Sequence, residues 1–260
     1  MPTIDANGET LAYERAGSGP ALVLIHSLGT NSWLWADQIT RWKSDFDVIA
    51  FDARGHGGST NNGGVTMKNV AADILAALDA LGVGEATFLG ISMGGLISAH
   101  INAAAPERVK SIVIADSFSA LGAAGPEKVA AMEGRIVPMS MEDWGAAYAG
   151  ETLLPTTGDD LRKKLAGGIA AMEKENYLQT TRSVFTSDVS AEMAAITAPV
   201  LVVCGDKDDR TPPAASEKIA EIIPGAELKM IPDAAHLSNL DNPSGFHAAV
   251  DPFLAAKAAG

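Results

Sequence analysis

Residues 86–95 read ATFLGISMGG, an apolar run that closes on the pattern Gly-x-Ser-x-Gly at residues 90–94. A reactive serine must protrude from a tight turn between a strand and a helix. Glycines two residues before and two after it let the backbone close without side-chain clashes. The N–H groups at the start of the next helix then face any negative charge that develops beside the serine. The pattern predicts a strand, a sharp turn and a helix, with Ser92 as the candidate nucleophile.

Short apolar runs and helical patterns alternate on both sides of this turn. Such alternation is typical of βαβ units and predicts an α/β protein with a mostly parallel central sheet flanked by helices. The predicted strands are residues 10–16, 21–25, 47–51, 86–89, 111–115, 199–204 and 227–231. The helices predicted to alternate with them are residues 67–81, 93–105, 214–223 and 245–256.

One segment interrupts the alternation. Residues 117–193 show no buried-strand pattern, and glycines and prolines separate helical patterns there at 127–136, 141–149, 159–172 and 174–185. A helical insertion of this kind is typical of a lid over a site. The sequence therefore predicts a core domain formed by residues 1–116 and 194–260, and a helical lid formed by residues 117–193.

A serine nucleophile needs a base, and the five histidines are the candidates. Only loops at the carboxyl edge of a parallel sheet can place an imidazole over Ser92, because open α/β sheets build their sites there. His236 lies in such a loop, after the predicted strand 227–231. His100 lies along the helix that follows Ser92, and we interpret it as structural. The sequence thus predicts His236 as the base.

The base in turn needs a carboxylate that orients it and stabilises its cation. Three aspartates follow the predicted strand 199–204, and the spacing from the flanking glycine and Thr-Pro pair favours the central one, Asp208. Asp116 also follows a predicted strand and could reach the base from the same edge of the sheet. We predict Asp208 as the acid and keep Asp116 as the alternative.

The negative oxygen that forms during acyl transfer needs two backbone N–H donors. The N–H of Met93, directly after the nucleophile, is one candidate. The loop after the early strand 21–25 supplies the other, for which we choose Leu28, and the hydroxyl group of Ser27 could add a contact to the substrate.

The composition excludes several kinds of partner and site. The chain has 19 Lys and Arg against 32 Asp and Glu, a net charge of −13, which disfavours nucleic acid and anionic membranes. One cysteine and five scattered histidines predict no metal site. With no secretory signal and no spanning apolar run in the sequence, we expect a cytoplasmic protein. The oligomeric state stays open.

Five motifs of the chain together resemble the α/β-hydrolase superfamily: LVLIHSLG, FDARGHGGS, GISMGG, GDKDDRTP and the His236 loop. Within it, HSLGTNSWLW, ISMGGLI, CGDKDDRTPP and DAAHLSNLDNP are most similar to 3-oxoadipate enol-lactonases. The resemblance implies the α/β-hydrolase fold, with the helical lid inserted after the sixth strand. It also implies hydrolysis without a cofactor, and it assigns the acid to Asp208 and the base to His236.

The predicted function is cleavage of a small-molecule carboxylic ester or lactone through an acyl-enzyme. The resemblance makes an enol-lactone the leading substrate. One alternative keeps the same triad but cleaves a C–C bond in a β-diketone-type substrate, or carries out perhydrolysis. Another alternative, from a different class, is a non-catalytic receptor that uses the pocket to bind a small molecule.

An anionic substrate would need a nearby cation, because the net charge of −13 repels a carboxylate. Within the lid we predict Arg135 and Arg182 for this role, since apolar neighbours of each could border a pocket. Residues 162–164 form a run of cations that is typical of a solvated helix face. Trp144 is the remaining lid residue predicted to contact the substrate.

Overall fold

The computed structural model describes residues 1–258, and its centre is one eight-stranded sheet with the order β1-β2-β4-β3-β5-β6-β7-β8. β1 pairs antiparallel with β2 and β2 antiparallel with β4, whereas all the other pairs are parallel. The strands are β1 (Thr3–Ala6), β2 (Glu9–Gly17), β3 (Ala21–Ile25), β4 (Asp47–Phe51), β5 (Ala86–Ile91), β6 (Val109–Ala115), β7 (Val200–Gly205) and β8 (Glu227–Ile231).

Helices cover this sheet, which confirms the predicted α/β-hydrolase fold. The helices are α1 (Ala36–Trp42), α2 (Met67–Ala80), α3 (Met93–Ala104), α4 (Ala124–Ile136), α5 (Met141–Thr152), α6 (Asp159–Ala170), α7 (Lys174–Thr186), α8 (Ser190–Ala194), α9 (Pro213–Ile222), α10 (Ser238–Asp241) and α11 (Pro243–Ala258). α3 packs on β3, β5 and β6, while α9 and α11 pack on β7 and β8. None of the described helices is long and apolar enough to cross a membrane.

The central strands are buried on both faces because helices cover both sides of a parallel sheet. Every residue of β5 and of β7 is buried, as their unbroken apolar sequences predict. β8 differs from its prediction as a buried strand, since Leu228 and Met230 are 36% and 41% exposed. It is an edge strand of the sheet and is paired with β7, and only its last residue, Ile231, is buried.

The segment between β6 and β7 contains α4 to α8. α4 packs against α7 and α5 packs against α6, whereas α8 contacts α3 and α9 of the sheet layer. Ser140 caps α5 by accepting a hydrogen bond from the N–H of Asp143, as expected for a helix that begins after a serine. We refer to residues 117–193 as the lid, and its function as a lid stays a prediction.

The sequence analysis missed the first hairpin. β1 and β2 are joined at Asn7 and Gly8, both of which have positive φ, 52° and 81°. An Asn-Gly pair between two short apolar-polar runs is a strong hairpin signal, because both residues tolerate this backbone conformation. The signal was therefore present in the sequence.

Candidate active site

Ser92 lies at the turn between β5 and α3, in a backbone conformation that side chains rarely adopt (φ 55°, ψ −111°). A Cβ atom at Gly90 would lie 2.1 Å from the backbone oxygen of Gly94. One at Gly94 would lie 2.2 Å from the backbone oxygen of Ile25. Both positions therefore need glycine, and the sharp turn holds the Ser92 side chain at the carboxyl edge of the sheet.

The structure brings Ser92, His236 and Asp208 into one line of hydrogen bonds. The Nε2 atom of His236 lies 2.9 Å from the Oγ atom of Ser92, and its Nδ1 atom lies 2.9 Å from the Oδ2 atom of Asp208. Each residue follows a different strand, β5, β8 or β7, at the same edge of the sheet. Ser92 and His236 are only 6% and 4% exposed, so the line is shielded from bulk water.

The carboxylate of Asp208 is held in the charged form by its hydrogen bonds. Its Oδ1 atom accepts from the backbone N–H groups of Arg210 (2.8 Å) and Thr211 (3.0 Å), and its Oδ2 atom accepts from the Thr211 hydroxyl at 2.6 Å. Burial alone would raise the pKa of Asp208. The charge of His236 and the hydrogen bonds from His236 and Thr211 outweigh burial, so the pKa is lowered.

Asp116, the alternative acid, does not contact His236. Its Oδ1 atom accepts from the N–H of Gly205 at 2.8 Å, and its Oδ2 atom is hydrogen-bonded to the hydroxyl group of Ser238. Complete burial, followed by the nearby charge of Asp208, raises the pKa of Asp116 well above its ordinary value. The structure thus places Asp208, and not Asp116, against the imidazole.

Of the two residues predicted as oxyanion donors, Met93 directly follows Ser92 and Leu28 lines the same cavity as Ser92. Met93 is the first residue of α3, where N–H groups have no partner inside the helix, and Leu28 lines the cavity above Ser92. Among the described residues, neither N–H is used in a hydrogen bond outside the regular helices and strands. Ser27 is fully buried and does not line this cavity, so the structure does not support its predicted contact with a substrate.

The cavity above Ser92 is narrow, with a volume of ≈ 30 Å³. It opens beside a groove of ≈ 370 Å³ that shares four residues with it, and these are Phe118, Lys128, Phe185 and Arg210. The remaining residues that line the cavity are Leu28, Ser92, Met132, Tyr148, Val184, Thr211 and His236. A larger groove of ≈ 680 Å³ between α1 and α11 contains none of the predicted site residues.

The two lid cations that the sequence predicts for substrate binding, Arg135 and Arg182, do not line the cavity above Ser92. Arg135 pairs with Glu151, and Arg182 pairs with Glu133 and Glu175. Both arginines are nearly half exposed, and neither lines the cavity. Surface ion pairs occupy both guanidinium groups, so the structure does not bring either of them to the cavity, and their role in substrate binding stays a prediction. Trp144 is fully buried in the lid and also lies outside the cavity lining.

Two cations that the sequence analysis did not consider do line the cavity, Lys128 of α4 and Arg210 of the loop after β7. The guanidinium group of Arg210 stacks on the ring of Tyr148 at 4.1 Å. Arg210 lies two residues after Asp208, and this closeness in sequence to the predicted acid could have indicated that it lies near the site.

One group of side chains has the composition of a metal site. Ligand atoms of Asp116, Cys204 and Asp208 lie within 4.8 Å of one another. Protein N–H and O–H donors already occupy both carboxyl groups. Burial is the main cause that raises the pKa of the thiol to about 12, so it stays protonated. These residues do not suit a metal ion.

A parallel sheet whose carboxyl edge holds a serine at a glycine-flanked turn defines a hydrolase of the α/β class. Residues 20–243 match the family described as alpha/beta hydrolase fold, and the chain belongs to that family. The chain is 31% identical to 3-oxoadipate enol-lactonase 2 of Acinetobacter baylyi over 260 residues, which cover 96% of this chain and 94% of that protein.

Two solved structures are similar over almost their whole length. The enol-lactonase from Burkholderia xenovorans LB400 has a TM-score of 0.90 and 27% identity, with 98% of this chain and 100% of that chain covered. Est816, described as an N-acyl homoserine lactone degrading enzyme, has a TM-score of 0.86 and 28% identity, with 97% and 100% covered. The similar structures thus include an enol-lactonase and an enzyme that degrades an N-acyl homoserine lactone.

Proposed function

We propose that the chain hydrolyses a small-molecule carboxylic ester or lactone through an acyl-enzyme on Ser92. The observation that carries this proposal is the line of hydrogen bonds from Ser92 through His236 to Asp208, with both distances 2.9 Å. A nucleophile within reach of a base, and a base oriented by a third group, is the arrangement that activates a serine hydroxyl.

In the proposed reaction, Ser92 Oγ attacks the acyl carbon while Nε2 of His236 takes the hydroxyl proton. Asp208 accepts from Nδ1–H, which holds the imidazole in the tautomer that leaves Nε2 free to accept. The N–H groups of Leu28 and Met93 stabilise the oxyanion. His236 then returns the proton to the leaving oxygen as its bond to the acyl carbon breaks. Water attacks the acyl-enzyme with His236 again as the base, and Ser92 Oγ leaves with the proton that His236 carries.

The finer proposal is an enol-lactonase-like activity on an anionic substrate. The enol-lactonase relatives support it, and so does the charge of the cavity, because Lys128 and Arg210 line it together with no carboxylate. The chain as a whole carries −13, whereas the side chains that line this cavity include two cations. A carboxylate of the substrate would complement them.

Arg210 is suited to this contact because its donors are available. Its Nε atom is buried without a hydrogen-bond partner, and its nearest carboxylate, Glu151, lies 3.6 Å away. Glu151 already makes hydrogen bonds to Arg135. The stack on Tyr148 fixes the plane of the guanidinium group, which can then hold a carboxylate through two parallel hydrogen bonds.

We infer that the lid moves when a substrate binds. A cavity of ≈ 30 Å³ holds about one water molecule, whereas a small lactone needs several times that volume. Phe118 and Phe185 are stacked at 6.5 Å between ring centres and line both the cavity and the adjoining groove. Both phenylalanines lie within the lid, and separation of their rings would connect the two spaces.

The first experiment removes the nucleophile. Ser92→Ala should lower kcat on an aryl ester by several orders of magnitude and leave the melting temperature almost unchanged. Retention of more than about a tenth of the wild-type rate would show that Ser92 is not the nucleophile. Binding of a lactone without any turnover by the wild type would instead support the receptor alternative.

The second experiment tests the charge preference. Arg210→Gln should raise KM by about tenfold or more for a carboxylated enol-lactone, as expected from loss of a charged hydrogen bond. It should change KM little for an uncharged N-acyl homoserine lactone. Arg135→Gln is the matched control, because it removes a guanidinium that does not line the cavity. Equal effects of Arg210→Gln on both lactones would contradict the preference for an anionic substrate, and the proposed function would then be that of a general esterase or lactonase.

A further inference from the structure

Residues 115–117 contact the loops of all three residues in the hydrogen-bonded line. The carbonyl oxygen of Ala115 accepts from the N–H of Ser92 at 2.8 Å, and the hydroxyl group of Ser117 donates to the carbonyl oxygen of Ser92 at 2.8 Å. Between them, Asp116 reaches the other two loops. We call residues 115–117 the bridging segment.

The carboxyl group of Asp116 spans the two loops that hold the acid and the base. Gly205, which donates to its Oδ1 atom, is the last residue of β7 and lies three residues before Asp208. Ser238, which is hydrogen-bonded to its Oδ2 atom, lies two residues after His236. One buried side chain thus connects the loop of Asp208 to the loop of His236.

Asp116 has a strained backbone conformation and a buried side chain, which indicates that its surroundings require an aspartate there. Its φ of 45° lies in the left-handed region, which an aspartate adopts at some energetic cost. The side chain is fully buried, so an unsatisfied carboxyl group there would be expensive. A strained, buried aspartate persists when its surroundings require it.

We propose that Asp116 is a positioning residue, whose carboxyl group keeps the loop of Asp208 and the loop of His236 in register. The proposal rests on the proposed function of Ser92, His236 and Asp208. It adds a fourth side chain that touches none of the reacting atoms. It also assigns to the alternative acid a role that needs no contact with the imidazole.

The geometry indicates which of the two aspartates carries the negative charge. The Asp116 and Asp208 carboxyl groups are close, within the same 4.8 Å group as the thiol of Cys204. Two neighbouring buried carboxylates cannot both ionise easily, so one keeps its proton. Asp208 accepts four hydrogen bonds, one of them from His236. Asp116 is hydrogen-bonded to the hydroxyl group of Ser238, whose oxygen can accept its proton when the carboxyl group is neutral. Asp116 is therefore the neutral partner.

The test compares an isosteric with a truncating variant. Asparagine keeps a carbonyl oxygen for the N–H of Gly205 and an NH2 group for the oxygen of Ser238. Asp116→Asn should therefore retain kcat within about fivefold. Asp116→Ala should lower kcat by up to about 100-fold with KM nearly unchanged, because the reacting groups shift while the cavity remains. Ser238→Ala removes the hydrogen bond between Asp116 and the loop of His236, and it should also lower kcat.

Two measurements separate positioning from general stability. Val48→Ala, a truncation in the buried core of β4, is the matched control and should lower the melting temperature without lowering kcat. The proton NMR signal of Nδ1–H of His236, shifted downfield by Asp208, should weaken or move in Asp116→Ala and Ser238→Ala but persist in Asp116→Asn. This signal needs no turnover, so it tests the bridge even if Ser92 proves not to be a nucleophile.

Several results would overturn the proposal. One is a normal kcat and a normal Nδ1–H signal in Asp116→Ala, or in Ser238→Ala if the first variant does not fold. Another is a loss of kcat in Asp116→Asn as large as that in Asp208→Asn, which would make the charge of Asp116 essential. A third is a fall in kcat for Val48→Ala equal to that for Asp116→Ala, which would show that the loss of kcat comes from lower stability and not from lost positioning.

Discussion

Asp208 is the residue whose surroundings most restrict its chemistry. Its two oxygens accept four hydrogen bonds, from Thr211 twice, from the N–H of Arg210 and from His236. These donors favour the carboxylate over the acid, which is the form that can accept from Nδ1–H of His236. The hydroxyl group of Thr211 lies within 3.2 Å of the same nitrogen and completes a compact network.

Replacement of the carboxylate should be far more damaging than replacement of its neighbours. We expect Asp208→Asn to lower kcat by about 10⁴-fold, because an amide NH2 group favours the wrong imidazole tautomer. Asp206→Asn and Asp209→Asn, both at exposed positions of the same loop, should stay within about threefold. Steady-state kinetics on one ester would compare them, and comparable losses in all three variants would contradict the assignment of the acid.

At the scale of elements, the turn at Ser92 depends on close contact between a helix and a strand. Gly94 of α3 lies against the backbone of Ile25 at the end of β3, where no side chain fits. Gly90 and Gly94 similarly leave no space for a Cβ between them. The glycines of the Gly-x-Ser-x-Gly pattern are therefore needed for the close packing of α3 on β3, and not only for the exposure of Ser92.

A methyl group at Gly94 should therefore push α3 away from β3. We expect Gly94→Ala to lower the free energy of unfolding by at least about 1–3 kcal/mol, as overpacking does. Gly134→Ala is the matched control, because Gly134 lies in α4 with no atom within 4 Å of its potential Cβ position. The control should be neutral or stabilising by up to about 1 kcal/mol. Urea unfolding of both variants checks this, and equal stabilities would be inconsistent with the tight contact.

For the molecule as a whole, two buried histidines link stability to pH. Burial lowers the pKa of His26 to about 4, and burial together with His26 lowers the pKa of His56 to about 3. Their rings lie 5.0 Å apart. In the unfolded chain both would titrate near the ordinary value of 6.5, so below that pH the unfolded state binds protons that the folded state rejects.

Because the unfolded state binds these protons more tightly, the free energy of unfolding is highest above pH 6.5 and decreases as the pH falls toward 4. Between pH 7 and pH 5.5 we expect the two histidines together to lower the free energy of unfolding by about 2–3 kcal/mol. Urea unfolding at several pH values measures it. His56→Asn should remove about half of this dependence, and an unchanged slope in that variant would refute the assignment.

Charge is also distributed unevenly over the molecule. The net charge of −13 is spread over a surface on which Arg135 and Arg182 are paired with glutamates, while Lys128 and Arg210 line the cavity above Ser92. The paired arginines contribute little, since exposed ion pairs are weak and screened. Under the proposed function, the cations of the cavity would favour an anionic substrate.

The sequence by itself determined the class of fold, the alternation of strands and helices, the turn at Ser92 and the loop of His236. These features depend on local patterns and on chain order, because apolar runs, glycine spacing and the order of strands are properties of neighbouring residues. The Asn7-Gly8 hairpin belongs to the same group, because an Asn-Gly pair is also a local signal.

Only the tertiary structure decided which side chains meet. It placed Asp208 rather than Asp116 against His236, gave Asp116 its contacts with Gly205 and Ser238, and put Arg210 at the cavity. These pairings join residues that are distant in sequence, and they depend on strand register and on how the lid packs. Candidate acids at the same sheet edge have equivalent local patterns, so only the packed positions of the loops can distinguish them.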